Sequence, residues 1–171
     1  SEGAIADFNG DGLLDLVGAL GTDDSSLESF AAISLQNSNG TFGPPSNLGI
    51  PTFLLFGWGY AACDVDGNGV ADLLINISID GYSAGTAVLM GRGDGTFDRL
   101  ADVPDPAGVE RGLDFAADLN GDGFADIVTF DVCCGFYNSL RVIRLGRGDG
   151  TFGDARFTSI DGTFQNRLLD F

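Results

Sequence analysis

Asp118, Asn120, Asp122 and Asp126 occupy positions 1, 3, 5 and 9 of the stretch Asp118-Leu119-Asn120-Gly121-Asp122-Gly123-Phe124-Ala125-Asp126. Oxygen-bearing side chains alternating along a tight turn can aim at one point, which suits capture of a hard cation such as Ca²⁺. The same pattern stands at Asp7, Asn9, Asp11, Asp15 and at Asp64, Asp66, Asn68, Asp72, with Gly12, Gly69 and Gly123 at position 6, where the chain must turn sharply. By analogy with other loops of this kind, the carbonyl of position 7, at Leu13, Val70 or Phe124, supplies a further ligand and water fills the rest. Each loop then brings three carboxylates and one amide together. Carboxylates so close repel one another unless a cation sits between them, so three Ca²⁺ sites coupled to folding are expected.

The spacing also excludes a rival. An EF-hand loop begins in the same way but needs a Glu at position 12 and flanking helices. Position 12 here is Gly18, Ile75 or Thr129. Behind each loop comes a short run rich in Val, Ile and Leu (Leu13 to Leu20, Ala71 to Ile77, Ala125 to Phe130), which reads as a buried strand. A metal-free turn rich in Asp and Asn is the plainer alternative, since both residues stabilise turns unaided.

The chain of 171 residues has a formal charge of −17 and no His. Nucleic acid and anionic membrane are excluded as partners, because both require clustered Lys and Arg. Nine of the 25 acids lie in the three loops, so three bound Ca²⁺ would reduce −17 to −11. With 27 Gly, 14 Phe and few helix-period patterns, the composition indicates an all-β protein of short strands and tight turns. No stretch has the length of a membrane span and no basic-then-apolar signal opens the chain, so Ser1 reads as a mature or trimmed end. Cys63, Cys133 and Cys134 read as small buried hydrophobes, with one disulfide left open and a catalytic thiol excluded for want of a His to activate it.

The elements that must position the loops recur with a period. Asp7, Asp64 and Asp118 are 57 and 54 residues apart, while Asn39-Gly40-Thr41-Phe42, Gly95-Thr96-Phe97 and Gly150-Thr151-Phe152 recur at 55 and 55. A beat near fifty residues marks blades, coils or arrays. In the second repeat, strands are expected over Gly57 to Cys63, Ala71 to Ser78 and Thr86 to Met90, with a fourth starting at Thr96-Phe97 after the turn Gly91-Arg92-Gly93-Asp94-Gly95. The third repeat copies it with Leu113 to Ala117, Ala125 to Phe130, Leu140 to Leu145 and then Thr151-Phe152. The first does so more loosely, with Ala31 to Gln36 as its third strand and Gly21 to Phe30 as a polar exposed insertion. Four antiparallel strands per repeat make one β-propeller blade. The expected fold is therefore all-β, three four-stranded blades in a single region over 1–171, with repeats near 1–56, 57–112 and 113–165 and a fourth begun at 166–171.

Ala6-Asp7-Phe8-Asn9-Gly10-Asp11-Gly12, with Asp15-Leu16-Val17 after it and Gly-Asp-Gly-Thr-Phe hairpins downstream, resembles the FG-GAP or VCBS repeats of calcium-binding β-propellers. Such repeats are found in integrin alpha subunits, some fungal lectins and many secreted bacterial proteins, and the resemblance covers almost the whole chain. It implies a calcium hairpin between the first two strands of each blade. The ligand positions carry over one for one to all three loops, while residues contacting any larger ligand do not. Closed propellers hold about four to eight blades. Arg167-Leu168-Leu169-Asp170-Phe171 matches Ala4-Ile5-Ala6-Asp7-Phe8, so the expectation is a piece of a longer propeller, the alternatives being head-to-tail pairing into six blades or an open fibre.

Arg92-Gly93-Asp94 and Arg147-Gly148-Asp149 spell a tripeptide that integrins recognise, but both lie in the repeat's own hairpin, where Gly and Asp serve the turn. Asn39 and Asn76 open glycosylation sequons, the first at a hairpin tip and the second inside an expected strand. Trp58 and Tyr60 read as core rather than as platforms for a sugar ring. The obvious carboxylate pairs belong to the loops and no zinc spacing or nucleophile elbow is present, so no enzyme is expected. The expected function is an extracellular calcium-binding module for adhesion or for binding a glycan or protein. The alternatives are a subunit of an extracellular filament and a non-catalytic scaffold in a secreted polysaccharide-active enzyme.

Overall fold

Apolar runs that follow a tight polar loop can fold back on the strand before it, and each of the three does so. The computed structural model describes residues 3–21, 28–53, 59–79, 82–105, 111–131 and 140–159. Its first sheet holds β1 (Gly3–Ala6), β2 (Asp15–Gly21), β3 (Glu28–Ser34) and β4 (Ser46–Phe53) in that order. The second holds β5 (Tyr60–Cys63), β6 (Asp72–Ile79), β7 (Tyr82–Gly91) and β8 (Phe97–Arg99), with β9 (Val103–Pro104) also pairing β7. The third holds β10 (Arg111–Ala117), β11 (Asp126–Asp131), β12 (Leu140–Arg144) and β13 (Arg156–Ser159). Every pairing is antiparallel and sequential neighbours lie side by side. Among the described residues there is no helix. The expected all-β repeat of four-stranded units is the observed one.

Alternation along the strands gives each sheet two faces. On one face of the middle sheet, Tyr60, Leu73, Ile75, Ile77, Ala87 and Leu89 join Ala4, Phe8, Val17, Ala31, Ile33 and Ile50 of the first sheet in one core. On its other face, Leu74 and Val88, with Val65, join Leu113, Ala125, Ile127 and Phe152 of the third sheet in a second core. The first strands lie side by side, β1 against β5 and β5 against β10, as blades do around a common axis.

Three expectations need correction. The polar stretch Gly21 to Phe30 is not all exposed loop: β3 begins at Glu28, and Ser29 is buried because its hydroxyl donates to the Thr52 carbonyl at 2.8 Å. The part of that stretch at 22–27 lies outside the described residues, as do Trp58, Cys133, Cys134 and 166–171. The fourth strand starts at the hairpin phenylalanine only in the second sheet; Phe42 and Phe152 make single bridges to Gln36 and Gly146, and pairing resumes at Ser46 and Arg156. In the first sheet, Pro44 and Pro45 explain the gap, since neither has an N–H to give a ladder. The third strand of the first sheet is also displaced, to Glu28–Ser34 in place of Ala31 to Gln36, while that of the second contains the expected Thr86 to Met90 and runs beyond it at both ends, as Tyr82–Gly91.

The second and third sheets meet tightly at Gly59, where a Cβ would stand 2.0 Å from the Leu113 carbonyl oxygen. Backbone cannot yield as a flexible side chain can. Gly59→Ala should therefore lower the unfolding free energy by about 1–3 kcal/mol, read from urea denaturation, by forcing the two sheets apart.

Candidate metal centres

Each loop is folded by its own carboxylates. At position 1, Asp7 Oδ1 accepts the N–H groups of Gly10 at 2.8 Å and Asp11 at 3.2 Å, and Oδ2 accepts that of Gly12 at 2.8 Å. Asp64 does the same with Gly67, Asn68 and Gly69, and Asp118 with Gly121, Asp122 and Gly123. These donors favour the charged form, so the Gly12 N–H first of all holds the Asp7 carboxyl below its ordinary value, and the Gly123 N–H does so for Asp118. Converging N–H groups require left-handed backbone at two positions, not one. Position 4 (Gly10, Gly67, Gly121; φ 75, 76 and 78°) is as constrained as position 6 (Gly12, Gly69, Gly123; φ 83, 84 and 93°).

Positions 3 and 5 touch side chain to side chain at the exposed mouth. Asn9 Nδ2 donates to Asp11 Oδ2 at 3.0 Å, Asn120 Nδ2 to Asp122 Oδ2 at 2.8 Å and, with the residue types exchanged, Asn68 Nδ2 to Asp66 Oδ2 at 2.9 Å. The N–H of position 7 returns to position 5: Leu13 to Asp11, Val70 to Asn68, Phe124 to Asp122.

Position 9 is different in kind. Asp15, Asp72 and Asp126 are fully buried at the first residue of β2, β6 and β11. Asp15 Oδ2 accepts the Phe8 N–H at 2.9 Å and Oδ1 the Gln36 N–H at 2.9 Å. Asp72 bridges Val65 and Gly91, both at 2.8 Å; Asp126 bridges Leu119 at 2.9 Å and Gly146 at 2.8 Å. Each carboxylate thus ties position 2 of its loop to the chain leaving the third strand. Sequence spacing marks these residues only as ligands; the available signal for the second role is their place at the head of an apolar strand, where a charged side chain turned inward needs donors.

In the middle loop one carboxylate oxygen each of Asp64, Asp66 and Asp72 lies within 4.8 Å of the others. Ca²⁺ ligands stand at about 2.3–2.6 Å, so three such oxygens fit around one ion. Burial, reinforced by the neighbouring charges of Asp66 and Asp64, pushes the Asp72 carboxyl up. That is the repulsion a bound cation would relieve. Burial likewise pushes the Cys63 thiol up to about 12, with Asp72 and Asp64 adding to it.

The hairpins complete the picture. Asn39, Asp94 and Asp149 each accept both the N–H and the hydroxyl of the threonine two residues on: Thr41, Thr96 and Thr151. Within Arg92-Gly93-Asp94, Arg92 is paired with Asp98 and Asp94 caps the turn; in the third repeat Arg147 donates to the Phe152 carbonyl at 2.7 Å. Both tripeptides serve local turns. Asn39 is exposed at its hairpin, Asn76 is buried within β6, and Tyr60 belongs to the first core. A groove of about 510 Å³ runs between the first two sheets, with Leu48, Ile50 and Phe97 below and Asn47, Asp94 and Arg99 at its rim.

Residues 7–75 match the family model of an FG-GAP-like repeat. Over that span the chain is similar to an FG-GAP-like repeat. The match starts on position 1 of the first loop and ends in β6, so it takes in the first two loops and most of the first sheet. The third loop and its sheet repeat the same hydrogen bonds. No curated protein matches the chain.

Two outcomes are expected. Asp72→Ala strips the N–H groups of Val65 and Gly91 of their acceptor, at about 1–3 kcal/mol each, and should lower the urea midpoint in chelator as well as in calcium. Without metal, Asp7 and Asp118 have folded values below the ordinary 3.8, so their contribution is present above that value and is lost as pH falls through the folded ones; Asp72, shifted upward, opposes the trend. Urea midpoints recorded from about pH 5 down to about pH 2 should therefore decline.

Proposed function

We propose that the three loops bind Ca²⁺ and hold the chain as a rigid, extracellular β-propeller module for adhesion or for binding a glycan or protein. The observation that carries this reading is the convergence of three carboxylate oxygens at one point of the middle loop. Side chains at positions 1, 3, 5 and 9 would hold the ion, with the carbonyl of position 7: Asp7, Asn9, Asp11, Leu13 and Asp15; Asp64, Asp66, Asn68, Val70 and Asp72; Asp118, Asn120, Asp122, Phe124 and Asp126. In each loop the asparagine must turn its amide oxygen, rather than its nitrogen, toward the site. What the ion supplies is charge: it offsets three carboxylates per loop and removes the repulsion that loosens the mouth.

Rigidity is the use of such a site. With positions 1 to 9 locked, the hairpins and the groove between the first two sheets keep one shape, and a fixed surface binds with less ordering cost. FG-GAP repeats are typically extracellular, where Ca²⁺ is abundant enough to fill simple oxygen loops. No helix among the described residues is long and apolar enough to cross a membrane.

Calorimetric titration of the chelator-treated chain with Ca²⁺ tests the reading. Three equivalents should bind, and Asp66→Ala, an exposed-mouth change, should remove one of them while leaving the other two. Absence of binding heat, or an Asp66→Ala stoichiometry equal to that of the parent, would contradict it.

A further inference from the structure

Four Asn-Gly pairs occur in the chain: Asn9-Gly10, Asn68-Gly69 and Asn120-Gly121 in the loops, and Asn39-Gly40 at the tip of the first hairpin. Such a pair is open to attack by the main chain on its own side chain, because glycine has no Cβ to shield its nitrogen. The four stand in different surroundings. In the loops, the glycine N–H that would have to give up its proton is held by the position 1 carboxylate: Gly10 by Asp7 and Gly69 by Asp64 at 2.8 Å, Gly121 by Asp118 at 2.7 Å. The amide nitrogen that would have to leave is held as well, on Asp11, Asp66 or Asp122. Negative charge on both sides opposes loss of the proton and growth of an oxyanion.

At the hairpin, exposed Asn39 has an Oδ1 that accepts two donors from one residue, the Thr41 N–H at 3.0 Å and the Thr41 hydroxyl at 2.7 Å. The hydroxyl proton is aimed there because its oxygen already accepts Asn37 Nδ2 at 3.0 Å. The Gly40 N–H rests on the neutral Asn37 carbonyl at 2.9 Å rather than on a carboxylate, and open space surrounds the position a Cβ would take. The sister hairpins show what the two donors do. Asp94 and Asp149 take the same pair from Thr96 and Thr151, and the threonine hydroxyl first of all holds both carboxyls below their ordinary value. The cradle therefore favours negative charge on this oxygen. An asparagine oxygen carries no such charge at rest, but it acquires one while a nucleophile adds to Cγ.

We propose that Asn39 is a site of self-deamidation, with the Gly40 nitrogen as nucleophile, the two Thr41 donors as oxyanion cradle and water as the only other reactant. The Gly40 nitrogen gives its proton to solvent base and bonds to Asn39 Cγ; the oxyanion then collapses, and Nδ2 takes up a proton and leaves as ammonia. The five-membered succinimide so formed adds water. Breaking its bond between the Gly40 nitrogen and Cγ gives aspartate, and breaking the bond to the main-chain carbonyl carbon gives isoaspartate. The aspartate product makes the first hairpin Asp-Gly-Thr-Phe like the other two and takes the formal charge from −17 to −18. It also erases the sequon that Asn39 opens. No metal enters the reaction, so the inference does not depend on calcium binding.

Incubation of the full chain in warm, mildly alkaline calcium buffer, followed by peptide mapping in a mass spectrometer, tests it. Asn39 should convert several-fold faster than Asn9, Asn68 or Asn120 in the same sample, giving both aspartate and isoaspartate. Thr41→Val removes the hydroxyl and keeps the shape, so it should slow conversion at Asn39 several-fold; Thr41→Ser restores a hydroxyl and should recover the rate. Circular dichroism checks that each variant is folded. Should Thr41→Val disturb the fold, the order of rates in the parent chain decides alone. Loop asparagines that convert before Asn39 overturn the inference, as does a folded Thr41→Val chain that deamidates at Asn39 as fast as the parent or faster. An intact Asn39 under conditions that deamidate an unstructured Asn-Gly peptide overturns it equally.

Discussion

A buried carboxylate at the head of each second strand carries the architecture. Asp15, Asp72 and Asp126 each accept one N–H from the loop they close and one from the chain beyond the third strand, so loop, hairpin and sheet edge are fixed through a single group. Taking an aspartate out of water is costly unless its oxygens are matched with donors, and here each oxygen has one. The loop's geometry depends on this anchor, because position 2 must lie where its N–H reaches the carboxylate. The side chain at position 2 is thereby pointed into the neighbouring sheet, as Phe8 and Val65 show by their burial. Intra-sheet hydrogen bonding and inter-sheet packing are therefore two consequences of one contact.

Above the anchor the balance changes. Position 1 is satisfied from within by three backbone N–H groups, whereas positions 3 and 5 each accept a single backbone N–H besides touching each other. A loop so arranged is formed at its base and electrostatically strained at its mouth, which is the state in which a divalent cation contributes most to order. The 4.8 Å clustering in the middle loop, where position 3 is Asp66 rather than asparagine, fits this view. In the outer loops the carboxylate stands at position 5, and the asparagine amide bridges to it across the mouth.

The legible part of the structure is the part encoded locally. Asp, Asn and Gly at fixed offsets dictate a loop within nine residues, and the apolar runs behind Asp15, Asp72 and Asp126 dictate the next strand, so the loops, the period and the four-stranded unit could be read from the chain alone. The features that could not be read depend on distant partners. Ser29 is buried because Thr52 lies across from it, and nothing near Ser29 announces that. The start of the fourth strand depends on where β3, β7 and β12 offer pairing: Pro44 and Pro45 delay it in the first sheet, while β7 is long enough to accept both β8 and β9. The anchoring role of Asp15 needs Gln36, 21 residues away, to supply a donor. The left-handed glycine at position 4 is visible in all three loops as Gly10, Gly67 and Gly121, and its significance emerges only with the N–H bonds it allows.

The central claim is that metal at the loop mouths and stability of the sheets are one equilibrium. Thermal melting of the same purified chain, in saturating Ca²⁺ and in excess chelator, addresses it most directly. A ligand that binds only the folded state at a hundred times its Kd adds about 2.7 kcal/mol per site. The account therefore predicts a large rise of melting temperature with Ca²⁺, reversed on chelation. Superimposable melts in calcium and chelator would show the three loops to be turns that fold without metal, and would contradict the account.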